Sequence, residues 1–207
     1  PGGEIRTVNV RPHSGFADPF LQLRVGLFGS PALKPAEFVK HPQTFQVYGL
    51  FGFGPPLGDY DSARLINLGT NRWMFRLGVP IVLPFGNPKN PFWLEANPNV
   101  YLYTNNTDVS GPGTVRSQNP LWVLETHLSH NLTKMFWLSF DLRGQYGGAT
   151  TTDGVFDDNK TEQLGGGGTL GIQLSRPLGL QVTYGTIFAK SGTARGNMWR
   201  ARMTYAF

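Results

Sequence analysis

The chain has 207 residues with 27 glycines, 16 prolines, no cysteine, a net charge of +5, and 13% aromatic against only 15% charged residues. Soluble domains carry about 25% charged residues, and no uninterrupted apolar run here approaches the roughly 20 residues of a transmembrane helix. Absence of cysteine removes disulfides, thiolate metal sites and cysteine catalysis and fits passage through an oxidising periplasm. The basic residues Arg24, Arg72, Arg76, Arg143, Arg176, Arg200 and Arg202 stand singly, which is not the clustered footprint of a nucleic-acid binder.

In chain order, segments of strict period-two alternation recur, each near the 9–11 residues of a tilted membrane strand. Glu4–Val10 reads as a first, short strand. Leu21, Leu23, Val25 and Leu27 then oppose Gln22, Arg24 and Gly26. Ala36–Lys40 is the one candidate helical turn. Phe45, Val47, Gly49, Phe51 and Phe53 oppose Gln46, Tyr48 and Gly52, and Trp73, Phe75, Leu77, Val79 and Ile81 oppose Arg72, Met74 and Arg76. Leu94, Ala96, Pro98, Val100 and Leu102 oppose Glu95, Asn97, Asn99, Tyr101 and Tyr103.

The second half repeats the pattern: Trp122, Leu124, Thr126 and Leu128 against Glu125, His127 and Ser129, then Phe136, Leu138, Phe140 and Leu142 against Ser139, Asp141, Arg143 and Gln145. Leu164, Leu170, Ile172 and Leu174 oppose Thr169, Gln173 and Ser175; Leu180, Val182, Tyr184 and Phe188 oppose Gln181, Thr183 and Gly185. The last strand sets Trp199, Ala201, Met203, Tyr205 and Phe207 against Arg200, Arg202 and Thr204. Its terminal aromatic resembles the signal read by bacterial barrel-assembly machinery.

Long polar loops at 56–71, 105–119 and 148–163, with a shorter one at 190–197, alternate with short turns at 84–91, 131–134 and 176–179. A barrel with long loops at one mouth produces this rhythm; a β-sandwich would not sort its loops by length. The expected fold is all-β, a single antiparallel transmembrane β-barrel domain over residues 1–207. Nine clear strands and Glu4–Val10 make about ten here, an even number as the rule for such barrels requires. The chain opens at Pro1 without a start Met or signal segment, so it is either a processed mature chain or part of a longer one; either Glu4–Val10 brings the strand number to an even ten or further strands precede Pro1.

A charge on the lipid face costs up to about 2–4 kcal/mol at the midplane, so Arg72, Arg76, Glu95, Asp141, Arg143, Arg200 and Arg202 are expected in the lumen. There they either line a selective path that holds an anionic group or neutralise one another. Tyr48, Trp93, Tyr101, Tyr103 and Trp137 share that face and either offer rings to an apolar solute or fill a narrow barrel. Trp73, Trp122, Trp199, Tyr205 and Phe207 suit the interfacial girdle.

His127-Leu128-Ser129 has the spacing of a strand-borne nucleophile and base, with Asn131 or Glu125 to orient the imidazole. Lipid hydrolysis needs that pair on the membrane face, and alternation puts it inside. Asp59/Asp61, Asn105/Asn106/Asp108 and Asp153/Asp157/Asp158 offer oxygen ligands for calcium, but without EF-hand spacing they are first of all turn residues. Lys160 and Arg195 are candidate contacts for lipopolysaccharide phosphates. Gly165–Gly168 lacks the following Lys-Ser/Thr of a phosphate loop and reads as glycines that admit sharp curvature or the close approach of a plug or loop. No enzyme activity, metal or cofactor is expected.

Leu65–Trp73, with Gly58-Asp59-Tyr60-Asp61, Tyr103–Asp108, Gln118-Asn119-Pro120-Leu121 and Thr151–Val155, resembles a family of transporter-like outer-membrane barrels associated with the meta-pathway of phenol degradation. The resemblance runs from about Ser14 to Phe207. It implies up to about twelve strands in the full barrel, and an outer-membrane channel for passive uptake of small hydrophobic or aromatic compounds, in contact with membrane lipid and lipopolysaccharide. The alternative is a structural barrel that packs with protein partners in a larger assembly. Tyr48, Arg76, Glu95, Tyr101, Tyr103, His127, Asp141, Arg143, Arg200 and Arg202 form the expected lumen path.

Overall fold

The computed structural model describes residues 14–34, 37, 41, 42, 44–64, 66–190 and 196–205. Alternation yields strands: β1 (Leu21–Phe28), β2 (Gln46–Gly54), β3 (Met74–Gly78), β4 (Ile81–Phe85), β5 (Phe92–Tyr103), β6 (Arg116–Gln118) and β7 (Leu121–Asn131). They are followed by β8 (Phe136–Gly147), β9 (Thr150–Thr152), β10 (Val155–Phe156), β11 (Thr161–Gln173), β12 (Leu178–Lys190) and β13 (Asn197–Tyr205). Among the described residues, no helix is long and apolar enough to cross a membrane.

Ten strands form one antiparallel meander in the order β1-β2-β3-β5-β7-β8-β11-β12-β13, with β4 bonded to β2 and β5. β3 and β4 are two halves of one stave, so the meander has nine stave positions. Each matches one of the alternating segments expected between residues 21 and 207. One boundary differs: the stave expected as unbroken through Ile81 is interrupted at Val79-Pro80 and resumes to Phe85, further than expected. Pro80 has no N–H to give the ladder. Its carbonyl instead accepts from Tyr48 N (2.8 Å), and Val79 N donates to Pro98 O (3.1 Å).

β1 and β13 are the sheet's two edges among the described residues. The expected strand at 4–10, Phe207 and most of the helical turn at 36–40 lie outside those residues.

Packing is inverted relative to a water-soluble protein. Phe140 is 65% exposed, Trp122 58% and Met203 71%, and the outward row continues through Leu23, Phe51, Leu77, Leu124 and Leu142. The few buried side chains on the staves are inward ones: Leu50, Val82 and Val123 with the polar Gln46, Asn99, Ser139, Thr169 and Thr183. The greasy rows lie side by side on the sheet's outer face, Phe85 against Phe92 (ring centroids 5.6 Å) and Phe53 against Trp73 (6.5 Å). A surface of this kind is stable where acyl chains replace water.

The glycine-rich β11 owes its composition to close approach. A Cβ on Gly171 would lie 1.9 Å from the Trp137 ring, and one on Gly167 1.8 Å from the Tyr184 carbonyl oxygen. Long loops gather at one mouth. Tyr60 Oη donates to Asp108 O (2.5 Å), Asn71 Nδ2 to Asn106 Oδ1 (2.8 Å) and Asn106 Nδ2 to Tyr60 Oη (3.0 Å). A second small sheet, β10-β9-β6, joins the loops after β5 and β8. Its hairpin turns on Asp153-Gly154, both at positive φ (48° and 81°), the conformation that favours Asp-Gly in two-residue turns.

Candidate functional site

Register sets the height at which inward side chains meet. Glu95 lies opposite His127, His127 opposite Asp141, Ser139 opposite Thr169, Thr169 opposite Thr183, and Thr183 opposite Arg200. The result is a polar belt across six staves. Asp141 is its hub: its carboxylate sits 2.6 Å from His127 Nδ1 and accepts from Ser139 Oγ (2.7 Å) and Thr169 Oγ1 (2.8 Å). Thr169 and Thr183 hydroxyls are 2.9 Å apart. Each buried hydroxyl thereby has a partner, as burial demands.

A second cluster lies beside it. Arg76 donates to Glu125 Oε2 (3.0 Å), Asn99 Oδ1 (3.1 Å) and Gln22 Oε1 (3.3 Å), while Asn97 Nδ2 donates to the same Glu125 oxygen (3.1 Å). Arg143 Nη1 approaches the other Glu125 oxygen at 3.7 Å. Guanidinium groups also cover the tyrosine rings. Arg24 stands 3.8 Å above Tyr48, Arg72 4.7 Å from Tyr103 and Arg76 5.3 Å from Tyr101. Such contacts favour the cation electrostatically and leave less bare ring for a solute.

The lumen opens into a chamber of about 800 Å³, and a smaller space of about 150 Å³ lies against Gln22, Arg24 and Arg76. Of the residues expected along a path, Glu95, His127, Asp141, Arg143, Arg200 and Arg202 line the chamber and Arg76 the smaller space. Tyr48, Tyr101 and Tyr103 line neither. Trp137 does border the chamber, its ring lying across Gly171. Asn97, Asn99, Thr169 and Thr183 complete the network without having been singled out beforehand. Their inward parity marked the face but not the partner.

His127 and Ser129 both face the chamber. The imidazole is held by Asp141, and neither Asn131 nor Glu125 hydrogen-bonds to it. No hydrogen bond joins His127 to Ser129 among the described residues.

Loop carboxylates act as local acceptors. Asp59 accepts from Phe16 N, and Asp18 from Gly58 N, Thr70 N and Thr70 Oγ1, tying residues 16–18 to the loop after β2. Asp153 accepts from the Val115 and Thr114 amides and the Thr114 hydroxyl. Those bonds, led by that from Val115 N, hold its carboxyl below the usual aspartate value. Asp157 is likewise lowered, chiefly by the Thr150 hydroxyl. Lys160 pairs with Glu162 at 2.5 Å; Arg195 lies outside the described residues.

A consecutive antiparallel meander with apolar rows outward and ionic groups within defines the outer-membrane class of β-barrel. The fold is similar to that in the crystal structure of the COG4313 outer membrane channel from Pseudomonas putida F1, with a TM-score of 0.76 and 20% identity over 93% of this chain and 67% of that one. The chain belongs to the family described as putative MetA-pathway of phenol degradation, whose profile matches residues 5–203. Its place is the bacterial outer membrane. No curated protein matches the sequence.

Proposed function

We propose that this barrel is a passive channel carrying small hydrophobic or aromatic compounds across the outer membrane. The observation that carries the proposal is the chamber itself: about 800 Å³, lined by staves whose ionic groups face inward. Family membership and likeness to a protein described as an outer membrane channel support the channel role, and the phenol-degradation name of the family supports aromatic cargo. Diffusion down a gradient is the driving force. The barrel performs no reaction, and His127 serves as a strut of the Asp141 hub.

Purified protein reconstituted into vesicles with lipopolysaccharide in the outer leaflet provides the test. Benzyl alcohol should enter faster than into protein-free vesicles, while glucosamine, a charged sugar of comparable size, should lag. Equal exclusion of both would refute the channel. A second reading, a structural barrel that packs with protein partners, draws on the backbone edges of β1 and β13 and on the Arg76–Glu125–Arg143 cluster. It predicts exclusion of both solutes and co-purification of a stoichiometric partner.

A further inference from the structure

Cation and anion numbers in the lumen do not balance. Along the staves, five inward arginines (Arg24, Arg76, Arg143, Arg200 and Arg202) face three carboxylates (Glu95, Glu125 and Asp141). The carboxylates are also unevenly shared. Glu125 serves both Arg76 and Arg143, and Asp141 is occupied by His127, Ser139 and Thr169. Arg24 rests on the Tyr48 ring. Arg200 and Arg202 meet no carboxylate among the described residues, although both line the chamber.

Their geometry suits a ligand. Residues two apart on one strand point to the same face, a little under 7 Å apart along the strand. Two guanidinium forks at that spacing present donors that match a carboxylate in a way that scattered ammonium groups do not. In register beside Arg200 and Arg202 stand Thr183 and Gln181, adding neutral polar groups. Apolar surface lies within the same chamber: Trp137, Ile187 and Met198. The wall therefore offers a paired-arginine seat for an anionic head and a ring and aliphatic surface for an apolar body. On the far side of the belt, Glu95 and Asp141 disfavour a second negative charge, which limits the cargo to one.

Building on the channel function, we infer that the chamber is selective for small monovalent aromatic or aliphatic carboxylates, seated by Arg200 and Arg202, in preference to neutral or cationic molecules of the same size. The structure thus distinguishes members of the hydrophobic cargo class by charge.

Three ring compounds of one size provide the test: benzoate, benzyl alcohol and benzylammonium, each followed into lipopolysaccharide-containing proteoliposomes at pH 8, with protein-free flux subtracted. Benzoate should enter fastest and benzylammonium slowest. Arg200→Gln with Arg202→Gln should remove the difference between the two ions, whereas Arg200→Lys with Arg202→Lys should keep the ionic preference and weaken saturation by benzoate. If wild-type protein admits benzyl alcohol but benzoate no faster than benzylammonium, the seat is refuted and the channel stands. If none of the three exceeds the protein-free flux, channel and seat fall together. The wild-type comparison decides even if the glutamine variant does not fold.

Discussion

Phe140→Arg tests the partition of the sheet into a lipid face and a lumen face. Phe140 lies near the middle of β8 (Phe136–Gly147), points outward, and has only Leu128 and Gly168 opposite it. It is 65% exposed. On a water-soluble sheet, an arginine there would change stability by no more than about 0.5 kcal/mol in either direction. In a bilayer the same arginine sits near the midplane and costs about 2–4 kcal/mol. At about 1.4 kcal/mol per tenfold, that is a drop of roughly 30- to 700-fold in the folded-to-unfolded ratio. Urea unfolding in short-chain lipid vesicles, followed by tryptophan fluorescence, reads this directly. Gln145→Lys, on the lumen face of the same strand, should cost little, and Phe140→Leu should be close to neutral. An arginine at 140 that leaves the unfolding midpoint unmoved, or a lysine at 145 that shifts it as far, would refute the outward assignment of this row.

Gly167→Ala should destabilise the barrel by more than about 1 kcal/mol, because the new methyl meets the Tyr184 carbonyl and backbone must shift, whereas Gly144→Ala, with open space around it, should be neutral within about 0.5 kcal/mol; the same urea titration separates them. Asp141→Ala leaves the buried Ser139 hydroxyl without its acceptor, at about 1–3 kcal/mol, while half-exposed His127 can turn to water and Thr169 keeps Thr183; Asp141→Asn should lose less because one acceptor oxygen remains. For the loop cap the sign follows from Asp153, whose carboxyl is held below its ordinary value of 3.8. Its hydrogen bonds therefore contribute above that pH and are lost as pH falls below it. Protection of the Thr114 and Val115 amides against hydrogen exchange should fall on acidification beneath that value, and Asp153→Ala should remove the pH dependence.

Most of the wall was legible because the lipid face and lumen face alternate with the pleat, and nine segments carried that signal strongly. The break at Pro80 was not, for a definite reason. Val79 and Pro80 together span two residues, so Phe75 and Leu77 before the break and Ile81 and Leu83 after it keep the same parity. A period-two reading cannot detect an interruption of even length. The proline was visible, but its consequence depends on Tyr48 and Pro98 in neighbouring staves, which take up the freed hydrogen-bonding groups.

Parity also explains what was and was not readable in the lumen. It identifies Asp141 as inward but says nothing of the height at which it meets its neighbours. Where a short turn joins two strands, few registers close, and residues 132–135 between β7 and β8 set Asp141 opposite His127 and Arg143 opposite Glu125. That pairing was within reach of the sequence; orientation of His127 by Asn131 or Glu125 overlooked it. The bond from Thr169 to Asp141 is different, because residues 148–160 intervene and a loop of that length permits many registers. Here the glycines decide. Only a strand free of side chains at 167 and 171 lets β11 slide close enough for Trp137 to lie flat and Tyr184 to approach, and that placement brings Thr169 under the carboxylate. The polar hub of the lumen is thus fixed by residues that contribute no polar atom of their own side chains. A substitution at Gly171 should therefore disturb the Asp141 network as surely as one at Thr169.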